Sequence, residues 1–128
     1  MSFPDVDKAL VYLLADLVGG LEHAGTETPS DLQNRLPYIR VGRVGGTSDE
    51  ASDYPVVDVD YFSPLGSRDA AVDGAEAVRQ RLTGSYHVVN GVVLDDVDCL
   101  TGPRELPWLG TGVRRFTGTY RVVTRNLY

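Results

Sequence analysis

This 128-residue chain predicts an α+β domain, a mainly antiparallel sheet with two main helices packed on one face. Three observations carry that reading. Two segments repeat apolar or small residues at helical spacing. Four segments alternate apolar and polar residues, and they come in consecutive pairs, as hairpins do. Length and composition are those of one ordinary globular unit, with 42% apolar and 23% charged residues. The predicted order is α-(short α)-β-β-α-β-β over a single domain, 1–128.

The first helix is expected from Pro4 to Val18, because Val6, Leu10, Leu13, Leu14 and Leu17 form one apolar face. Pro4 suits the first turn, and Gly19-Gly20 suits a stop. Glu22 to Glu27 reads as polar, with the option of an irregular strand. Thr28-Pro29-Ser30-Asp31 resembles a capping box opening a short helix, Pro29 to Arg35, which Pro37 ends.

Tyr38 to Val44 reads as a strand, with Ile39, Val41 and, as an option, Arg43 on one face and Tyr38, Arg40 and Val44 less regularly on the other. Gly45 to Asp53 reads as a long, acidic, flexible connection. Tyr54 to Phe62 is the next strand, where Val57, Val59 and Tyr61 alternate with Asp58 and Asp60. The two strands form a hairpin with the acidic loop at its tip.

Ser63-Pro64-Leu65-Gly66 is a turn, and Ser67 is placed to cap a helix running to Leu82. Its face of Ala71, Ala75, Val78 and Leu82 is narrow enough to lie close on a sheet. Val92 to Leu100 is a strand, Thr101 to Gly112 a loop, and Val113 to Thr124 the last strand.

Chemistry is sparse. The two histidines, His23 and His87, lie in separate turn-rich stretches, and no serine sits in a nucleophile elbow. Cys99 is the one cysteine, on the apolar side of a strand, so no intramolecular disulfide forms. The Gly42-Arg43-Val44-Gly45-Gly46 run fits neither phosphate-loop nor dinucleotide spacing. There is no basic n-region at the start and no apolar run long enough to span a bilayer, so neither a signal peptide nor a membrane partner is expected. A net charge of −6 argues against a dedicated nucleic-acid binder. One enzymatic alternative stands: Asp58 and Asp60 could join Asp96 and Asp98 around a divalent cation if their strands were neighbours. Alternation alone also places those acids on a solvent face.

Charge is unevenly shared among the strands. Asp58, Asp60, Asp95, Asp96 and Asp98 lie on the middle strands, and Arg114, Arg115, Arg121 and Arg125 on the last. Cross-strand pairing within the domain is one reading, and pairing between copies the other. An acidic and a basic face on one small domain favour head-to-tail association, which closes into a ring where the rotation permits. Trp108, the single tryptophan, lies on a loop, so it either folds back onto the core or anchors a contact.

The ordered set Thr-Pro-Ser-Asp-Leu-Gln-Asn-Arg-Leu-Pro (28–37), Arg-Val-Gly-Gly (43–46), Val-Asp-Val-Asp (57–60), Gly-Pro-Arg-Glu-Leu-Pro-Trp (102–108) and Val-Arg-Arg-Phe-Thr-Gly-Thr-Tyr-Arg-Val (113–122) resembles tail terminator proteins of long-tailed (siphovirus-type) bacteriophages infecting actinobacteria. The likeness covers nearly the whole chain. It implies a non-enzymatic structural virion protein without cofactors, assembled in the host cytoplasm and located at the head-proximal end of the tail. It implies a hexameric ring that caps the tail tube and ends its polymerisation. The implied partners are the major tail tube protein and a head-completion or neck protein, with DNA passing through the lumen unbound. Another head–tail joining protein of similar size is the alternative within the class. The residues expected at subunit or partner contacts are Asp49, Glu50 and Asp53 of the acidic loop, Asp58 and Asp60, Arg104 and Trp108, and Arg114, Arg115 and Arg121.

Overall fold

A computed structural model describes residues 3–84, 86–108 and 112–125. It is a mixed α+β structure with two α-helices and one six-stranded sheet. The elements are α1 (Val6–Leu14), β1 (Ala24–Gly25), β2 (Tyr38–Ser48), β3 (Ser52–Pro64), α2 (Arg68–Leu82), β4 (His87–Val89), β5 (Val92–Leu106) and β6 (Val113–Arg125). The sheet order is β1-β2-β3-β6-β5-β4. All neighbours run antiparallel except β1 and β2, which are parallel.

Both helices form where their signals lie. Asp5 caps α1, its Oδ1 accepting from the Lys8 amide at 3.1 Å, and Ser67 caps α2 through the Ala70 amide at 3.2 Å. Val6, Leu10 and Leu14 of α1 and Val78 and Leu82 of α2 are buried against Ile39, Val57, Tyr120 and Val122 of the sheet. Ala71 and Ala75 pack on Phe116 of the same face. α1 touches β1 and β2 at one edge of the sheet and β4 at the other, so the sheet curls around it.

The opposite face is covered over one end only. There Leu32, Tyr38, Phe62 and Val113 are buried together, with Leu36 and Trp108 packed on them. The segment between β1 and β2 folds across β2 and β3 to make this second, smaller core.

Several expectations need correction. The element order gains a short edge strand, β4; the irregular strand left as an option at 22–27 forms as β1, and its parallel pairing makes the sheet mixed. The first helix is α-helical only over Val6–Leu14 and ends in a 3-10 turn, Ala15–Leu17. The helix expected at Pro29 to Arg35 shrinks to a 3-10 turn, Leu32–Asn34. The Thr28 hydroxyl that was to cap it accepts from Arg40 instead. The connection expected at Gly45 to Asp53 is mostly ladder. β2 continues to Ser48 past a bulge between Arg43 and Gly45, and β3 begins at Ser52. β5 runs to Leu106, past the expected end at Leu100, because its irregular register absorbs Gly102 and Pro103 and resumes pairing at Arg104. Within the loop expected at 101–112, Leu109 to Thr111 lie outside the described residues.

Candidate interface

The polar side of the sheet holds the densest charge network of the molecule. β3 places Asp60 on the face away from α1 and α2, opposite Arg40 of β2 and Thr117 of β6. Asp60 was expected on a wet face, yet it is 3% exposed. Its carboxylate accepts from Arg40 Nε at 2.9 Å and Nη2 at 2.6 Å, from Arg115 Nε at 3.0 Å, and from the Thr117 hydroxyl. Charge pairing and four donors make this burial tolerable for a carboxylate.

Trp108 closes the network from the loop side. Its ring meets Phe62 edge-on, with centroids 4.8 Å apart and planes at 65°. The guanidinium carbons of Arg40 and Arg115 both lie 5.6 Å from its centroid. Of the two expectations for Trp108, folding back is what this chain displays. It still lines one wall of a groove, opposite Pro29, Ser30, Leu32 and Asn34 and above Val113.

The other expected contact residues are distributed as follows. Asp49 builds the hairpin turn, accepting from the amides of Ala51 and Ser52 and from the Tyr54 hydroxyl at 2.8 to 2.9 Å. Those donors hold its carboxyl below the ordinary 3.8, the Ser52 amide first among them. Glu50 is exposed at the tip. Asp53 is buried and held by both terminal nitrogens of Arg43, at 2.8 and 3.1 Å. Asp58 accepts from Thr119 at 2.7 Å. Arg104 donates to the Thr117 carbonyl at 3.0 Å, and Arg114 to Glu105 at 2.9 Å. Arg121 pairs with Asp98 at 2.7 Å, both ends about half exposed, and Arg125 with Asp95.

The alternation of acidic and basic strands is therefore paired within the chain. β6 lies between β3 and β5, so its arginines face acids on both sides. The same order separates Asp58 and Asp60 from Asp96 and Asp98, and the four-carboxylate cluster does not form. Among the described residues, no group of three or more His, Cys, Asp or Glu is placed to hold a metal ion. None of their helices is long and apolar enough to cross a membrane.

Sequence reasoning missed Arg40 and Arg43 as partners of the buried acids. Arg40 had a visible signal, since it alternates with Ile39 and Val41 and so faces away from the core. Arg43 had none, because its pairing with Asp53 depends on the bulge that follows it. The groove beside Trp108 was also missed, since it exists only where the 28–34 segment crosses the sheet.

Charge is polarised along the strands. Asp49, Glu50, Asp53, Asp95, Asp96 and Asp98 lie toward the hairpin tip, with Arg43, Arg121 and Arg125 paired to three of them, so carboxylates are in excess there. Arg40, Arg104, Arg114 and Arg115 lie toward the other end, where Pro64 pairs with Val113, against the carboxylates of Asp60 and Glu105, so guanidiniums are in excess there.

No protein-family model matches this chain, and no curated protein matches it. Among solved structures, a chain in the virion of a native gene transfer agent (GTA) particle shares the fold. It aligns over 88% of this chain and 84% of its own length, with a TM-score of 0.62 and 21% identity. A second solved chain aligns over 71% of this one at a TM-score of 0.42 and 15% identity, too distant to carry an argument.

Proposed function

We propose that this chain, as a single domain, is a structural virion protein that acts as a tail terminator rather than as an enzyme. On this reading copies assemble into a ring, sixfold by the resemblance, that caps the tail tube and ends its growth. The ring then offers its other side to a head-completion or neck protein. The observation that carries the reading is the fold shared with a gene transfer agent virion chain over most of both lengths. The ordered likeness of residues 28–37, 43–46, 57–60, 102–108 and 113–122 to tail terminators narrows it. The charge polarity along the strands adds a physical reason for association, since unlike ends of identical copies attract.

The expected contact residues divide by what holds them. Asp53 and Asp60 are buried and internally paired, so on this reading they shape the contact surface without touching the partner. Asp49, Glu50, Arg104 and Arg121 are exposed and are proposed to meet a partner directly. Asp58, Trp108, Arg114 and Arg115 lie between these cases, each half-buried. A net charge of −6 per copy disfavours adhesion of DNA crossing the lumen.

The test has two parts. Native mass spectrometry of the purified chain is expected to find a closed ring, and a monomer at all concentrations would overturn the reading. Deleting the gene is expected to yield overlong tails in electron micrographs. Tails of normal length that lack heads would instead assign the chain to head–tail joining.

A further inference from the structure

Resting on the ring reading, we infer that copies join head to tail by seating the β4 corner of one copy, Tyr86 and Val88, in the Trp108 groove of the next. Tyr86 is 68% and Val88 62% exposed. Val88 lies on the edge strand β4 and Tyr86 immediately precedes that strand, so the two open side chains sit at one corner of the sheet. Large apolar side chains left open at the edge of a sheet make a surface that monomers ordinarily avoid.

The groove is the complementary feature. It encloses about 600 Å³ beside Trp108, over the buried side chains of Leu32 and Val113. That volume is ample for one aromatic side chain and a neighbouring aliphatic one.

The two features cannot meet within one copy. Val113 starts β6 at the groove, whereas Thr124 near its end pairs with Leu94, the strand end that carries β4. Eleven residues of strand separate the two corners by about 35 Å. Only a second copy can bring them together.

Charge favours the same pairing. Tyr86 shares its cleft with Arg79, itself paired with Glu76, and with Asp95, Asp96 and Asp98; Asp95 and Asp98 pair with Arg125 and Arg121, which leaves the exposed Asp96 as the excess charge. Trp108 lies beneath the half-buried guanidiniums of Arg40 and Arg115, which share the single carboxylate of Asp60 and so keep a positive excess, while Asp31 at the groove is paired with Arg35. Apolar contact at the centre with opposite charges around it gives affinity and register together. The contact joins unlike surfaces, so an open chain of copies keeps one free corner and one free groove at its ends until a ring closes.

The experiment uses the full chain in two variants. The corner variant carries Tyr86→Ser and Val88→Ser, and the groove variant carries Ser30→Phe at the exposed rim. All three positions are exposed, and unchanged circular dichroism and melting confirm the fold of each variant. Each variant alone is expected to need at least ~30-fold more protein to assemble in sedimentation velocity, the loss typical of removing an interface anchor. Mixed together, they are expected to form a one-to-one heterodimer in native mass spectrometry and stop there. The intact corner of the groove variant then fills the intact groove of the corner variant.

A corner variant that forms rings at the wild-type concentration overturns this contact and leaves the ring reading intact. A mixture that yields no heterodimer also overturns it. A corner variant that keeps its ring but no longer binds tail tubes assigns the corner to another protein and overturns the second copy as occupant. A wild-type chain that stays monomeric overturns both readings.

Discussion

Asp60 holds two guanidiniums with one carboxylate in a nearly water-free position. Asp60→Ala leaves Arg40 and Arg115 half-buried without a counter-charge, and is expected to cost about 3 kcal/mol, read from the urea midpoint. Trp108 fluorescence is expected to shift in the same variant, because both guanidiniums flank its ring. Tyr120 supplies a pH test. Burial raises its phenol well above the ordinary 10. The unfolded phenol therefore ionises first, and the folded state loses stability as the pH climbs above 10. Ultraviolet titration is expected to find Tyr120 ionising last, with Tyr38 and Tyr61 also late through burial. Asp49 has the opposite sign. Its lowered value stabilises the hairpin turn above pH 3.8, and that stabilisation is lost as the pH falls through the folded value. The Ala51 and Ser52 amide resonances are expected to move with it.

At the scale of elements, the closeness of α2 to the sheet rests on small residues. Ala71 and Ala75 are buried there, and a Cβ on Gly74 would overlap the ring of Tyr61. Gly→Ala inside a helix ordinarily stabilises by up to ~1 kcal/mol. Here Gly74→Ala is expected to destabilise by about 1 kcal/mol, because Tyr61 is packed in two apolar clusters and gives way poorly. In a Tyr61→Leu background the same change is expected to become neutral or stabilising, which thermal melts of the four proteins decide. The β2 edge shows another element-scale device. The Arg43 amide donates to Asp7 of α1 at 3.3 Å, and the bulge that follows breaks the regular edge. The free edge of β5 carries its own register breaks and Pro103. Both devices discourage strand-to-strand addition, which leaves side chains rather than backbone to join copies.

At the scale of the whole molecule, the carboxylate excess at the hairpin end and the guanidinium excess at the other make an electrostatic dipole along the strands. Assembly driven partly by these ends is expected to weaken between 0.05 and 0.5 M salt, since exposed charges are screened over about 10 Å at 0.1 M (these concentrations bracket that screening regime). Sedimentation across that series checks it. An assembly indifferent to salt would assign the contact to apolar surface alone.

The helices, their caps and most strand faces were legible in the sequence. Periods of 3.6 and 2 report which side of an element is apolar, and Asp5 and Ser67 act through neighbours three residues away. Such signals are local, so the α+β class and the paired long strands follow from them. The placement of β6 between β3 and β5 is not local. It turned three of the four carboxylates of the cation-site reading, Asp58, Asp60 and Asp98, into partners of arginines and threonines, set Asp96 apart from Asp58 and Asp60, and buried Asp60. The parallel β1, the Arg43–Asp53 pair and the groove beside Trp108 arise likewise where segments distant in the chain cross. Periodicity determined which face each side chain takes; only the tertiary structure decided what that face meets, because strand order and register bring together residues no local pattern links.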